Sequence, residues 1–172
     1  MKNTLAAALV LLSACVSPAD PPRMTKDPTN GPTGVVTELY DLVTFGPGTT
    51  PDWDAVRSLF CEEAVVVLRT GRDRMSVFSL EGFVNDFVQF IEQAKVEETG
   101  FTERILDMRE TTYGDIAQVL VRFDSHIPGS GRAPNEGIDS FELIRSEGRW
   151  RIVSIVNERP TADNPIPDDL FR

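Results

Sequence analysis

The sequence predicts an α+β domain: a curved antiparallel sheet wrapped on one long helix and two shorter N-terminal helices. Three observations carry that prediction. Helical spacing of apolar residues is confined to the part before Gly100. After Gly100 only strand patterns follow, joined by tight glycine turns. The strand segments are long, and helices placed before such a run gather on one face of the sheet. Long strands twist and curl, which opens a concave face.

Each element has its own signal. Val36, Leu39, Tyr40 and Val43 stand at i, i+3, i+4 and i+7, one face of a first helix. Gly46-Pro47-Gly48 ends it. Thr50 or Asp52 can cap a second short helix with Trp53, Val56, Leu59 and Phe60 as its apolar face. Ala64 to Leu68 is a β-branched run, read as a strand. Gly71-Arg72-Asp73-Arg74 turns the chain into a second strand, Met75 to Phe78. Ser79 caps the longest helix, whose apolar residues are Phe83, Val84, Phe87, Val88, Ile91 and Ala94, with Gly100 closing it.

Four strands come next. Phe101 to Thr112 turns at Gly114-Asp115 into Ile116 to Ile127, where Ala117, Val119, Val121 and Phe123 share one side. A loop over 128–134 leads to Gly137 to Arg145. The Glu147-Gly148 turn then leads to Trp150 to Asn157. Trp150 is expected in the core, where a tryptophan removes a large apolar area from water. Val153 and Ile155 fall on the opposite parity from Trp150, Ile152 and Val156, so both faces of the last strand look covered. A second copy of the chain is one cover that fits.

The segment before the domain carries an address. Lys2 is followed by an apolar run from Leu5 to Leu12, and then by Ser13-Ala14-Cys15. Short basic start, apolar stretch and small residues are the marks of a secretory signal. The run is shorter than the roughly 20 residues needed to cross a bilayer. With the cysteine directly after it, the stretch resembles the lipobox of bacterial lipoproteins. That resemblance implies a signal peptide over 1–14, acylation of Cys15 and a firm membrane anchor in the cell envelope, periplasmic or at the outer surface. Prolines 18, 21, 22, 28 and 32 make 15–34 a semi-rigid tether. The domain is expected over 35–160, and 161–172 is a C-terminal tail.

Composition narrows the partners. The 41% hydrophobic content is enough for a packed core. The net charge of −10 argues against nucleic acid and against electrostatic adhesion to anionic lipid. An acylated Cys15 leaves Cys61 as the one free thiol, so no disulfide staples the fold. Cys61 sits beside Glu62 and Glu63, a setting that argues against a nucleophile and for a small packed residue.

Two stretches resemble the nuclear transport factor 2-like superfamily. Ser58-Leu59-Phe60-Cys61-Glu62-Glu63-Ala64 is similar to its passage from helix to first strand. Phe141 to Pro160, with Arg149-Trp150-Arg151-Ile152 after an acidic-Gly turn, is similar to its final hairpin. The resemblance spans roughly Thr33 to Pro160. It implies a cone-shaped sheet with an interior pocket. Members include ketosteroid isomerases, SnoaL-like cyclases and many non-catalytic binding or dimerising domains, so fold alone does not assign a function.

The resemblance also implies where site residues would stand: a tyrosine on the first helix, and carboxylates or a histidine on strands around the cone. Tyr40 lies on the apolar stripe of the first helix and is either a core residue or a ligand contact. Asp139 shares parity with Phe141 and Leu143. It either faces an apolar wall that raises its pKa, or stands in water at a strand end. His126 is the sole histidine, which rules out a multi-histidine metal site. Asp124 shares its parity, and an Asp–His pair is a base-forming arrangement, but Arg122 and Gln118 on that side read as a solvated face. Phe83 and Phe87 would wall the pocket. Arg69, Arg72 and Arg74 either hold a ligand carboxylate or form a charged turn. No phosphate loop, dinucleotide fingerprint, zinc spacing or Gly-x-Ser-x-Gly is present, so no cofactor is called for.

The expectation is a lipid-anchored domain that binds a small apolar molecule or a protein. The alternative is a cofactor-free isomerase, dehydratase or cyclase. A complete acid–base set on the inner face would favour the second.

Overall fold

A computed structural model describes residues 31–71 and 73–172. The signal, Cys15 and most of the tether lie outside the described residues, as does Arg72.

The chain runs α1 (Pro32–Val43), α2 (Trp53–Ser58), β1 (Phe60–Gly71), β2 (Arg74–Ser79), α3 (Leu80–Ala94), β3 (Thr102–Tyr113), β4 (Ile116–His126), β5 (Asn135–Ser146) and β6 (Arg149–Glu158). This is the expected α+β order, with the strands longer than their apolar runs suggested. Helix α1 starts at Pro32, inside the expected tether. A proline at the first helical position loses no intrahelical hydrogen bond. Asp52, not Thr50, caps α2 by accepting from the Asp54 and Ala55 N–H groups. Ser79 caps α3 through the Gly82 N–H. That helix ends before Gly100, at Lys95 in the left-handed region.

The six strands form one sheet in the order β2-β1-β6-β5-β4-β3. All pairings are antiparallel except β1 with β6, which is parallel. A parallel pair needs a long crossover, and everything from β2 to β5 provides it. Four register breaks bend the strands: between Phe60 and Val65 where β1 meets β6, at the end of β1, at Leu106 in β3 and at Val153 in β6. A bulge adds a residue to one strand and increases its local twist. These breaks curl the sheet around α1 and α3.

The narrow part of the cone is filled. Val36, Val56, Val66, Val119, Val121, Phe141 and Ile152 are fully buried and join one core cluster, of which Val66 and Phe141 also reach the cavity described below. A smaller cluster of Phe45, Ile91, Val96 and Phe101 ties the end of α3 to the start of β3.

Two expectations are corrected. Trp150 is half-buried at the edge of the core, with the Arg145 guanidinium 5.6 Å above its ring. Its strand end lies beside the hairpin turn, where less of the core reaches it. The Val153 bulge also shifts the parity of β6. Ile152 and Ile155 both face inward, while Val153 and Val156 face out, 40% and 45% exposed. The second apolar face is therefore Val153 with Val156, not with Ile155. Cys61 is half-buried, as a small packed residue would be. Among the described residues no helix is long and apolar enough to cross a membrane.

Candidate functional site

The wide end of the cone is open and holds a cavity of about 770 Å³. That is within the usual range for small-molecule sites. Helix α3 lays Phe83, Phe87 and Phe90 along one side, with neighbouring rings edge-to-face at 6.1 and 5.8 Å. Both expected wall residues, Phe83 and Phe87, therefore line it. Phe101, Phe123 and Phe141 extend the apolar surface onto the sheet.

Polar groups gather at the floor. The Tyr40 hydroxyl donates to Asp139 Oδ2 at 2.7 Å. The Asn157 side-chain amide donates to Asp139 Oδ1, also at 2.7 Å, and Asn157 Oδ1 accepts from the Arg69 backbone N–H at 3.4 Å. Register explains the group. Asp139 pairs with Asn157 on β6 and with Val121 on β4, so both polar side chains point inward beside Val121. Helix α1 crosses above and lowers the Tyr40 ring between Phe123 and Phe141, at 6.0 and 6.3 Å. Tyr40 and Asn157 are only 4% and 6% exposed, so this network is fixed by packing as well as by hydrogen bonds. Gly137 makes room for it. A Cβ there would meet the Phe123 ring at 2.5 Å.

Burial then sets the protonation states. Asp139 and Glu103 are both half-buried, with protein packed around their carboxyl groups and the cavity in front. Burial pushes Asp139 up to about 6, and the hydrogen bonds from Tyr40 and Asn157 and the charge of Arg159 hold it from going higher. Burial and the charge of Asp139 push Glu103 up to about 8, against the pull of Arg159. Burial also pushes the Tyr40 phenol well above its ordinary value, reinforced by the negative field of Asp139 and Glu103. At neutral pH the cavity thus presents an ionised Asp139, a protonated Glu103 and a neutral Tyr40 that donates. Two carboxyl groups with separated pKa values are a general base and a general acid in waiting.

Of the three candidates, Tyr40 and Asp139 meet directly and His126 does not join them. His126 ends β4 and lines the same cavity, but among the described residues its ring makes no hydrogen bond; only its backbone carbonyl accepts, from the Thr102 hydroxyl at 3.3 Å. The Asp124–His126 pair does not form a hydrogen bond either. Arg104 takes both Asp124 oxygens, at 2.9 and 2.5 Å, and holds that carboxyl below its usual range. The arginine turn is also divided. Arg69 pairs with Glu158, and Arg74 Nε donates to the Thr70 hydroxyl at 3.2 Å.

Glu103, Asn157 and Arg159 were not singled out by sequence reasoning. Asn157 had a usable signal, since it sits one strand from Asp139 in a hairpin whose turn was legible. Glu103 had none, because the Leu106 bulge breaks the alternation of β3. Among the described residues no cluster of histidine, cysteine or carboxylate side chains is disposed to hold a metal ion.

No protein-family model matches the chain, and no curated protein matches its sequence. Solved structures do resemble it. An NTF2-like protein with a cystatin-like fold from Novosphingobium aromaticivorans superposes with a TM-score of 0.60 at 15% identity, over 76% of this chain and 81% of that one. A protein with a cystatin-like fold from Caulobacter vibrioides gives a TM-score of 0.59 at 12% identity, over 76% and 88%. An NTF-2 like protein of unknown function from Silicibacter pomeroyi gives 0.50 at 24% identity, over 74% and 91%. The fold is therefore the NTF2-like, cystatin-like one, as the sequence motifs implied.

Proposed function

We propose that this domain binds a small, largely apolar molecule in the open end of its cone, with one polar group of the ligand directed at the Asp139–Glu103 end. The observation that carries the reading is the cavity itself: about 770 Å³, walled on one side by phenylalanine side chains, with a hydrogen-bonded group around the Asp139 carboxylate at its floor. Apolar walls with a few placed polar groups are the usual make-up of a small-molecule site. The lipobox-like Leu12-Ser13-Ala14-Cys15 supports a site of action at the cell envelope, with the domain held off the membrane by its proline-rich tether.

A second reading, cofactor-free acid–base catalysis of the isomerase, dehydratase or cyclase kind, has a specific observation in its favour. Asp139 can accept a proton and Glu103 can give one within the same cavity. One experiment separates the two. The full chain carrying Cys15→Ser, which dispenses with detergent, is incubated with a cell extract, and retained molecules are identified by mass spectrometry. Binding alone leaves the retained compound unchanged, and Asp139→Asn weakens retention by about tenfold or less, the worth of one hydrogen bond. Catalysis returns a converted compound, and Asp139→Asn slows the conversion by roughly 10²–10⁴-fold. Retention of nothing removes both readings.

A further inference from the structure

The arginines of the described residues divide by partner. Arg57, Arg69, Arg104, Arg122 and Arg145 are held in ion pairs with carboxylates. Among those without an ion pair, Arg74, Arg132 and Arg159 line one and the same cavity. They arrive there from separate segments. Arg74 opens β2, Arg132 stands in the loop before β5, and Arg159 follows the end of β6. The topology brings these strand ends together at the wide mouth of the cone.

Arg159 is the best placed of the three. It directly follows the last residue of β6, two residues beyond Asn157, and lines the cavity there. Its charge is felt by both Asp139 and Glu103. Among the described residues its guanidinium makes no hydrogen bond to either, and Asp139 accepts instead from Tyr40 and Asn157. Five N–H donors are therefore available at the cavity wall. The opposing charges are few. Glu136 is taken by Arg122. Burial keeps Glu103 protonated at neutral pH. Asp86 on α3 and Asp139 at the floor remain. In a chain of net charge −10, three arginines without ion pairs at one opening mark where an anion is welcome.

We propose that the ligand carries a carboxylate, received at the mouth by Arg159 together with Arg132 and Arg74, and an aromatic or alicyclic body that lies on Phe83, Phe87 and Phe90. Arginine presents a planar fork that matches a carboxylate in two parallel hydrogen bonds, which a neutral ester cannot reproduce. The apolar body fills the space between that fork and the Asp139 floor. The proposal rests on the small-molecule reading of the cavity and adds the charge of the ligand to it.

Matched probes test the two separately. The full chain carrying Cys15→Ser is titrated calorimetrically at pH 7 with 2-naphthylacetate and adamantane-1-acetate, and with the methyl ester of each. At least one acid is expected to bind about tenfold or more tightly than its ester. Arg159→Gln should erase that preference, and Arg132→Gln should reduce it. Unfolding curves of each variant matching the parent confirm that the fold is intact. Esters that bind as tightly as the acids overturn the carboxylate proposal while leaving the cavity as a small-molecule site. So does an acid preference that survives Arg159→Gln together with Arg132→Gln. Binding of neither acids nor esters refutes the cavity reading, and the proposal falls with it.

Discussion

Asp139 shows how one residue couples packing to pH. In the folded chain its carboxyl is raised from 3.8 to about 6, and Glu103 is raised from 4.5 to about 8, chiefly by burial. A raised carboxyl binds its proton more tightly in the folded state than in the unfolded one. The stability this provides is complete below the unfolded value and is lost as pH rises through the folded value. Asp139 therefore withdraws stability as pH climbs from about 4 to 6, and Glu103 as it climbs to about 8. Glu81, Asp124 and Glu158 act in the opposite sense. Arginine partners hold them low, so their contribution is present at neutral pH and lost in acid. The melting temperature is expected to be higher at pH 5 than at pH 8. The Asp139→Asn, Glu103→Gln double variant should flatten that difference. Equal melting temperatures for the parent at both pH values would mean that neither carboxyl is buried as described. Tyr40 and Asp139 could be named from the sequence because each keeps the parity of its element. Glu103 could not, since a bulge separates it from the rest of β3.

At the scale of elements, local chemistry was legible and long-range pairing was not. Asp52 and Ser79 bond the next helical N–H groups, a contact made within three residues, and both were readable as caps. The parallel pairing of β1 with β6 joins residues about 90 positions apart, such as Val66 with Ile155, and no local signal encodes it. The Val153 bulge was hidden for a related reason: a two-residue alternation carries no mark of an inserted residue. The end of α3 shows a division of labour. Lys95 stops the helix, while Gly100 serves the bridge between Phe45 and Phe101, whose N–H and C=O groups exchange bonds at 2.9 Å. Gly100 has φ +84°, and a Cβ there would stand 2.7 Å from the Phe45 carbonyl oxygen. Gly100→Ala should cost more than about 1 kcal/mol, because the positive φ and the close oxygen both oppose a side chain. Gly129→Ala has positive φ but open space around it, so it should cost less. Urea unfolding of both variants checks the ranking; equal costs would show that φ alone governs these sites.

On the scale of the whole molecule, we propose two surroundings for the chain, a membrane behind it and its own copies beside it. The proposed anchor rests on Cys15. Cys15→Ser should release the protein from salt-washed membranes, and a variant that is still processed and pelleted would exclude lipidation. The proposed self-association rests on the outer face of the sheet. Val65, Val77, Val153 and Val156 are 40%, 72%, 40% and 45% exposed, and register places Val67 between Val77 and Val156. Natural surfaces rarely leave valines grouped in this way without a use. Ser79, Ser140 and Ser154 stand beside these valines in the register, with Glu142 next to Ser154 at the border of the patch. A second copy of the sheet is the partner that suits such a patch, since the same residues would meet across a two-fold axis. The parent chain carrying Cys15→Ser is expected to sediment as a dimer. Val77→Lys with Val156→Lys would place like charges face to face and should give monomers with an unchanged melting curve, because both side chains already stand in water. A parent that is monomeric at high concentration would show that the valine face serves some other contact.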